Sequence, residues 1–200
     1  MSVRPPWADA QNEAGIRPAG PEDRAAVSAF IDEMDADGLY QRHFAHGEAP
    51  NRALLARLDA ADGSSRVVLL ARDADARVIG HAEYVAQDCS AEFALMVLPA
   101  WRECGLGKAM LDALIDAASA AGHAHMHGLI QASNTPALMV AKKRGFRPTP
   151  GDDPRTVIVS RPLAPQRVAD PTEPDFAVPP APLPNRHDPD RTSLHRRPGP

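Results

Sequence analysis

The chain has 200 residues and a formal net charge of −4, with 26 Asp and Glu against 22 Lys and Arg, a balance that excludes a nucleic-acid binder needing a concentrated basic face. Its two cysteines are too few for a disulfide scaffold, the N-terminal stretch lacks the apolar core of a secretion signal, and no run approaches the ~20 apolar residues that cross a bilayer. The expectation is a soluble cytoplasmic protein with reduced thiols, no membrane partner and no nucleic-acid partner.

Residues 1–13 are expected to be a flexible N-terminus. From Ala14, "AGIRPAGPED" allows a short edge strand, because Pro18 and Pro21 break any helix. A helix follows, with Ala26, Val27, Phe30, Ile31 and Met34 at three- and four-residue steps. "DGLYQRHFAHG" and "NRALLARLDAADG" predict two more short helices, the second capped by Asn51 and stopped by Gly63. The period then changes to that of strands: "SRVVLLARD", "ARVIGHAEYVAQD" and "SAEFALMVLP", the last ended by Pro99. A long helix from about Gly105 to Ala121 carries Met110, Leu111, Leu114, Ile115 and Ala118 on one side and stops at Gly122. A strand "HAHMHGLIQA", a helix "NTPALMVAKKRGF" and a last strand "RTVIVSRPL" complete a domain spanning 14–163. The order predicts an α/β (α+β) domain of three layers. Residues 164–200 hold 10 of the 21 prolines without hydrophobic periodicity, the composition of a disordered tail.

Two patterns carry chemistry on their face and resolve otherwise. The basic cluster Lys142, Lys143, Arg144 precedes a helix-ending Gly145, where the helix dipole favours positive charge. His123, His125 and His127 alternate along one strand and are expected on one sheet face, about 7 Å apart, too far to converge on one metal ion, so no metal is expected.

The stretch "LPAWRECGLGKAML" is more specific. Gly105 and Gly107 lack the third glycine of a dinucleotide fingerprint, where Met110 stands, and the Lys-Ser/Thr pair of a phosphate loop, where Lys108 is followed by Ala109. What remains is either a simple anion site, bare backbone at a helix start, or a turn that binds nothing.

"RECGLG", Arg102 to Gly107, resembles the R/Q-x-x-G-x-G/A motif of the GCN5-related N-acetyltransferase (GNAT) superfamily, between its fourth strand and the following helix. "ASNTPALMVAKKRGF" is similar to the family's second landmark, an Asn eleven residues before Gly-Phe. The resemblance implies a GNAT fold with a mixed, mostly antiparallel sheet, and acetyl-CoA as co-substrate of an N-acetyltransferase. It implies that the turn Arg102, Glu103, Cys104, Gly105, Leu106, Gly107 and Lys108 holds the pyrophosphate of coenzyme A. Met96, Val97 and Leu98 would present a strand edge to the pantetheine arm, and Asn134 would contact it, an asparagine equally suited to cap its helix. For Cys104 a packing role also stands.

More narrowly, "IRPAGPED", "LYQRHF" and "AEFALMV" look like the acetyltransferase domain of bacterial protein lysine acetyltransferases. A protein lysine is therefore the first expected acceptor and a small-molecule amine the second. A non-catalytic acyl-CoA-binding regulatory module is the remaining alternative.

An amine must be neutral to attack. Glu92 shares one strand face with Ala94 and Met96, a partly desolvated place that would raise its pKa toward a useful value, and the family's glutamate base lies on this strand. Glu92 is the expected general base, with Glu83 on the neighbouring strand an alternative. Where many relatives carry a Tyr to protonate the leaving thiolate, this chain has Ala141, and Tyr84 and Tyr40 are poor substitutes.

Overall fold

The computed structural model describes residues 15–44 and 48–163. The expected flexible N-terminus, residues 1–13, and the expected disordered tail, residues 164–200, lie outside the described residues.

Seven strands form one sheet: β1 (Ile16–Pro18), β2 (Arg66–Arg72), β3 (Val78–Gln87), β4 (Ser90–Val97), β5 (His125–Gln131), β6 (Arg147–Pro150) and β7 (Thr156–Pro162), in the order β1-β2-β3-β4-β5-β7-β6. All neighbours are antiparallel except β4 and β5, joined by the crossover helix that parallel strands require. The helices are α1 (Arg24–Glu33), α2 (Ala36–His43), α3 (Glu48–Asp59), α4 (Leu106–Ala120) and α5 (Thr135–Lys143).

Cross-strand partners share a face, so the register sorts the side chains. One face carries the rows Arg66–Val85–Glu92–His127, Val68–Glu83–Ala94 and Leu70–His81–Met96. Helices α1 to α3 cover its β2 to β4 part: the Phe30 ring stacks 6.5 Å from His81, and Arg42 and Arg57 reach Glu83. The other face carries Tyr84–Phe93, Ala82–Leu95 and Gly80–Val97 and lies under α4. There α4 packs so close that a Cβ on Gly80 would come 2.5 Å from Met110 Sδ. Helix α5 lies beside α4: Arg144 at its end pairs with Asp112 at 2.5 Å, and the following Phe146 packs 5.1 Å from Phe93. The three layers bury Leu54 and Leu58 on one side and Leu106, Met110, Leu111 and Leu114 on the other. Each such side chain contributes roughly 1.5–3 kcal/mol relative to exposure.

Three sequence expectations change. Helix α3 begins at Glu48, so Asn51 lies inside its first turn instead of capping it; Pro50 is tolerated there because first-turn N–H groups have no acceptor to lose. Strand β6 was not expected, since Pro148 and Pro150 argue against a strand; it survives as an outer edge, pairing on one side only. His123 does not share a face with His125 and His127. β5 starts at His125, so alternation does not extend back to His123, whose ring meets Tyr84 edge-on at 5.5 Å.

Candidate active site

Pairing between β4 and β5 consists of Ser90–His125, Ala91–Met126 and Glu92–His127, although β4 runs on to Val97 and β5 to Gln131. Beyond Glu92 the two strands part, leaving a fork in the middle of the sheet. Leu98 N–H donates to Ile79 O on β3 at 3.0 Å. Alternation along the strand therefore turns the backbone of Met96 toward β3 and that of Leu95 and Val97 toward the fork. Of Met96, Val97 and Leu98, only Val97 faces the opening, and its carbonyl already accepts from Arg102 Nε at 3.2 Å. Leu95 was missed by the sequence reading; the signal for it is strand parity counted back from Leu98.

The chain leaves β4 through a short 3-10 turn, Pro99–Trp101, and enters α4 through the glycine-containing loop. Glu103 (φ 61°) and Gly105 (φ 90°) are left-handed while Arg102 (φ −71°) is extended, so the chain bends sharply into the helix start. The first N–H of the helix to find a backbone acceptor is that of Ala109, 3.1 Å from Gly105 O. The Cys104 N–H closes the turn at residues 102–103, and among the described residues no hydrogen bond is found from the N–H groups of Glu103, Gly105, Leu106, Gly107 or Lys108. Leu106, fully buried, anchors the loop while Glu103, Gly105 and Lys108 stay exposed. Cys104 Sγ donates to Trp101 O at 2.9 Å and is half-buried, a contact that closes the turn.

The two glycines differ. Gly105 is fixed by its backbone, since φ 90° is strained for any residue with a Cβ. Gly107 has no positive φ, and a Cβ there would meet Leu95 Cδ1 and Val97 Cγ2 at 3.8 Å, ordinary contact. Nothing in the protein's own packing requires glycine at 107.

Arg102 does not lie free beside this loop. Its guanidinium grips Asp35, the N-cap of α2, through two hydrogen bonds of 2.9 and 2.5 Å. The bond from Arg102, larger than the opposing effect of burial, holds the Asp35 carboxyl below the usual carboxylate range. Asn134 caps α5 by accepting from Ala137 N–H at 3.1 Å, and its amide donates to Gln41 Oε1 on α2 at 3.0 Å. Gln131 Nε2 reaches Tyr40 O at 3.3 Å. Three contacts from the fork's surroundings thus seat α2 across it.

Two clefts flank α2 on that face. One, of about 240 Å³, is lined by Glu92, Glu83, Arg42, Arg57 and Arg66 among others. Glu92 sits where β4 and β5 part, half-buried, accepting from Gln87 Nε2 at 2.8 Å. Glu83 is 2% exposed, with its charge matched by Arg42, which it contacts closely. Burial pushes the Arg42 guanidinium down, with Glu83 opposing. The other cleft, about 460 Å³, lies between Tyr40, Phe44, Gln131 and the β6–β7 connection. Tyr84 is remote from both: it is fully buried under the opposite face, donating to Ser64 O at 3.0 Å. Ala141 is buried in the α5 packing.

A forked sheet with unspent N–H groups at the head of its crossover helix has relatives. Residues 27–146 match the model of the acetyltransferase (GNAT) family. The chain belongs to that family. Among curated proteins it is 31% identical over 156 residues to the mycothiol acetyltransferase of Clavibacter sepedonicus, covering 74% of this chain and 50% of that one. The chain thus spans about half the length of the curated relatives it matches. Its GNAT fold is shared with the GNAT domain of S. lividans PAT (TM-score 0.68, 20% identity, 74% of this chain and 89% of that chain). A Sinorhizobium meliloti phosphinothricin acetyltransferase solved with AcCoA matches with TM-score 0.62 and 21% identity over 82% of this chain and 96% of that chain. Among the described residues no three His, Cys, Asp or Glu side chains form a group that could hold a metal, and no helix is long and apolar enough to cross a membrane.

Proposed function

We propose that this GNAT domain binds acetyl-CoA across the β4–β5 fork and transfers the acetyl group to a primary amine. The observation that carries the reading is the row of five N–H groups at the α4 head, those of Glu103, Gly105, Leu106, Gly107 and Lys108, without acceptors among the described residues, beside an exposed, left-handed Gly105. Unpaired N–H donors at the positive end of a helix dipole suit a pyrophosphate, and a bare Gly105 lets it approach the backbone. Leu106 acts through its backbone and Cys104 by closing the turn, while Asn134, and Val97 with its neighbour Leu95, line the way for the pantetheine arm.

Acetyl-CoA, when bound, supplies an activated thioester. An alkyl ammonium with pKa near ~10.4 must lose its proton before attacking. Glu92 is the base: it stands at the fork, half-exposed, with an oxygen not used by Gln87, whereas Glu83 is already neutralised by Arg42. Fork-facing N–H groups of Leu95 and Val97 are placed to stabilise negative charge developing on the acetyl oxygen. With Ala141 at the usual tyrosine position, water serves to protonate a thiolate whose pKa is near ~8.5. A protein lysine is the acceptor implied by the narrower resemblance; a small amine is the second reading, favoured by relatives named for mycothiol.

The test combines calorimetry of the full chain with acetyl-CoA and release of free coenzyme A on addition of lysine-containing proteins and small amines. Binding with turnover that Glu92→Gln abolishes supports the enzyme. Tight binding with no turnover on any acceptor supports a non-catalytic acyl-CoA-binding module instead.

A further inference from the structure

The cleft beside Glu92 has an unusual wall. Arg66, Val85 and Glu92 are successive partners in one cross-strand row, with side chains on the same face. Two strand spacings separate the backbones of Arg66 and Glu92 by about 9.5 Å. Arg57, on α3, lines the same cleft. Of its three guanidiniums, that of Arg42 is taken by Glu83, whereas Arg57 reaches Glu83 only at 3.5 Å and Arg66 donates no side-chain hydrogen bond to any described residue. The cleft therefore holds a carboxylate at the fork and, lining the same space, two guanidiniums with unspent donors. A guanidinium offers donors in a fixed fork that matches a carboxylate two-for-two.

Resting on the acetyltransferase reading above, we propose that the acceptor is a small molecule carrying both an amine and a carboxylate a few atoms apart. Arg57 and Arg66 bind the carboxylate, which places the amine at Glu92. The acceptor enters as its ammonium and Glu92 takes one proton; the freed amine nitrogen forms the amide bond as the carbon–sulfur bond of the thioester breaks, and the second proton that the nitrogen sheds passes through water to the departing coenzyme A thiolate. A lysine side chain on a protein surface would leave both guanidiniums unmatched.

The experiment measures turnover by the full chain of amino acids, each against its own carboxamide. The carboxamide has the less basic amine, so intrinsic reactivity runs against the expected result. That result is a kcat/KM for the acids about 10- to 100-fold above the amides, the range that charge-assisted hydrogen bonds supply. Arg57→Gln and Arg66→Gln shrink the ratio through KM, with calorimetric affinity for acetyl-CoA unchanged. Arg66→Glu moves the preference toward diamines, a gain that misfolding cannot mimic. Acids and amides turned over within about twofold of each other, or lysine peptides preferred over both, overturn the proposal while leaving the acetyltransferase intact. Absence of acetyl-CoA binding overturns both together.

Discussion

Gly107→Ala separates the packing of the α4 head from its use. The added methyl meets only Leu95 Cδ1 and Val97 Cγ2 at 3.8 Å, so it fits without displacement. Position 107 is helical, and alanine there is favoured over glycine by up to about 1 kcal/mol. For a domain of this size that raises the melting temperature by about 1–4 °C. Because alanine is accepted at the last place of R/Q-x-x-G-x-G/A, the methyl is expected to leave acetyl-CoA binding unchanged. Lys108→Glu, exposed on the same first turn, introduces a side chain the helix dipole favours but sets a negative charge beside the N–H groups that would receive the pyrophosphate. It weakens acetyl-CoA binding about 10- to 100-fold, the loss of one or two charge-assisted hydrogen bonds at roughly 1.5 kcal/mol each. Calorimetric titration of wild type and both variants, with a thermal melt of each, reads the two effects separately. A folded Lys108→Glu that binds acetyl-CoA as wild type does would refute the assignment of this helix start as the anion seat.

Other substitutions probe other parts. Glu92→Gln is expected to reduce coenzyme A release by about 10²–10⁴-fold with unchanged affinity for acetyl-CoA, measured by a thiol assay beside calorimetry. Gly128→Ala drives a Cβ to 2.7 Å from the Phe93 ring, an overpacking of about 1–3 kcal/mol in urea unfolding that Phe93→Leu relieves in the double variant. Glu83→Gln leaves Arg42, with a side chain 11% exposed, without its counter-charge; removing one member of a buried pair costs about 3–5 kcal/mol. Asp35 has a carboxyl held low by Arg102, so its contribution to stability is complete above the unfolded value of about 3.9 and is lost as pH falls through the lower folded value. Melting temperatures recorded from pH 6 downward should therefore fall less steeply for Asp35→Asn than for wild type.

How much of this was legible in the sequence follows from the range of the interactions involved. Local signals placed α4, with its apolar stripe at Met110, Leu111 and Leu114, and the strands β2, β3 and β4, whose β-branched runs are bounded by turns. The three layers and the mostly antiparallel sheet follow from that order and were expected. Edge position is not local, so β6 with its two prolines was passed over. Pro50 hid the start of α3 because the sequence does not say whether a proline falls in a first turn or an interior. At the candidate site, the glycine pair and Glu92 were named from the sequence, whereas long-range partners were not. Arg102 is committed to Asp35, 67 residues away, and Arg42 crosses 41 residues to Glu83. The row Arg66–Val85–Glu92 exists only once three strands are in register.

The most direct test of the pyrophosphate seat is a titration of isotope-labelled protein with coenzyme A, following backbone amide resonances. The expected result is that the amides of Glu103 to Lys108 shift together and saturably, with those of Leu95 and Val97, while β1 and β6 stay still. Saturable binding that moves other amides and leaves those of Glu103 to Lys108 in place would contradict it.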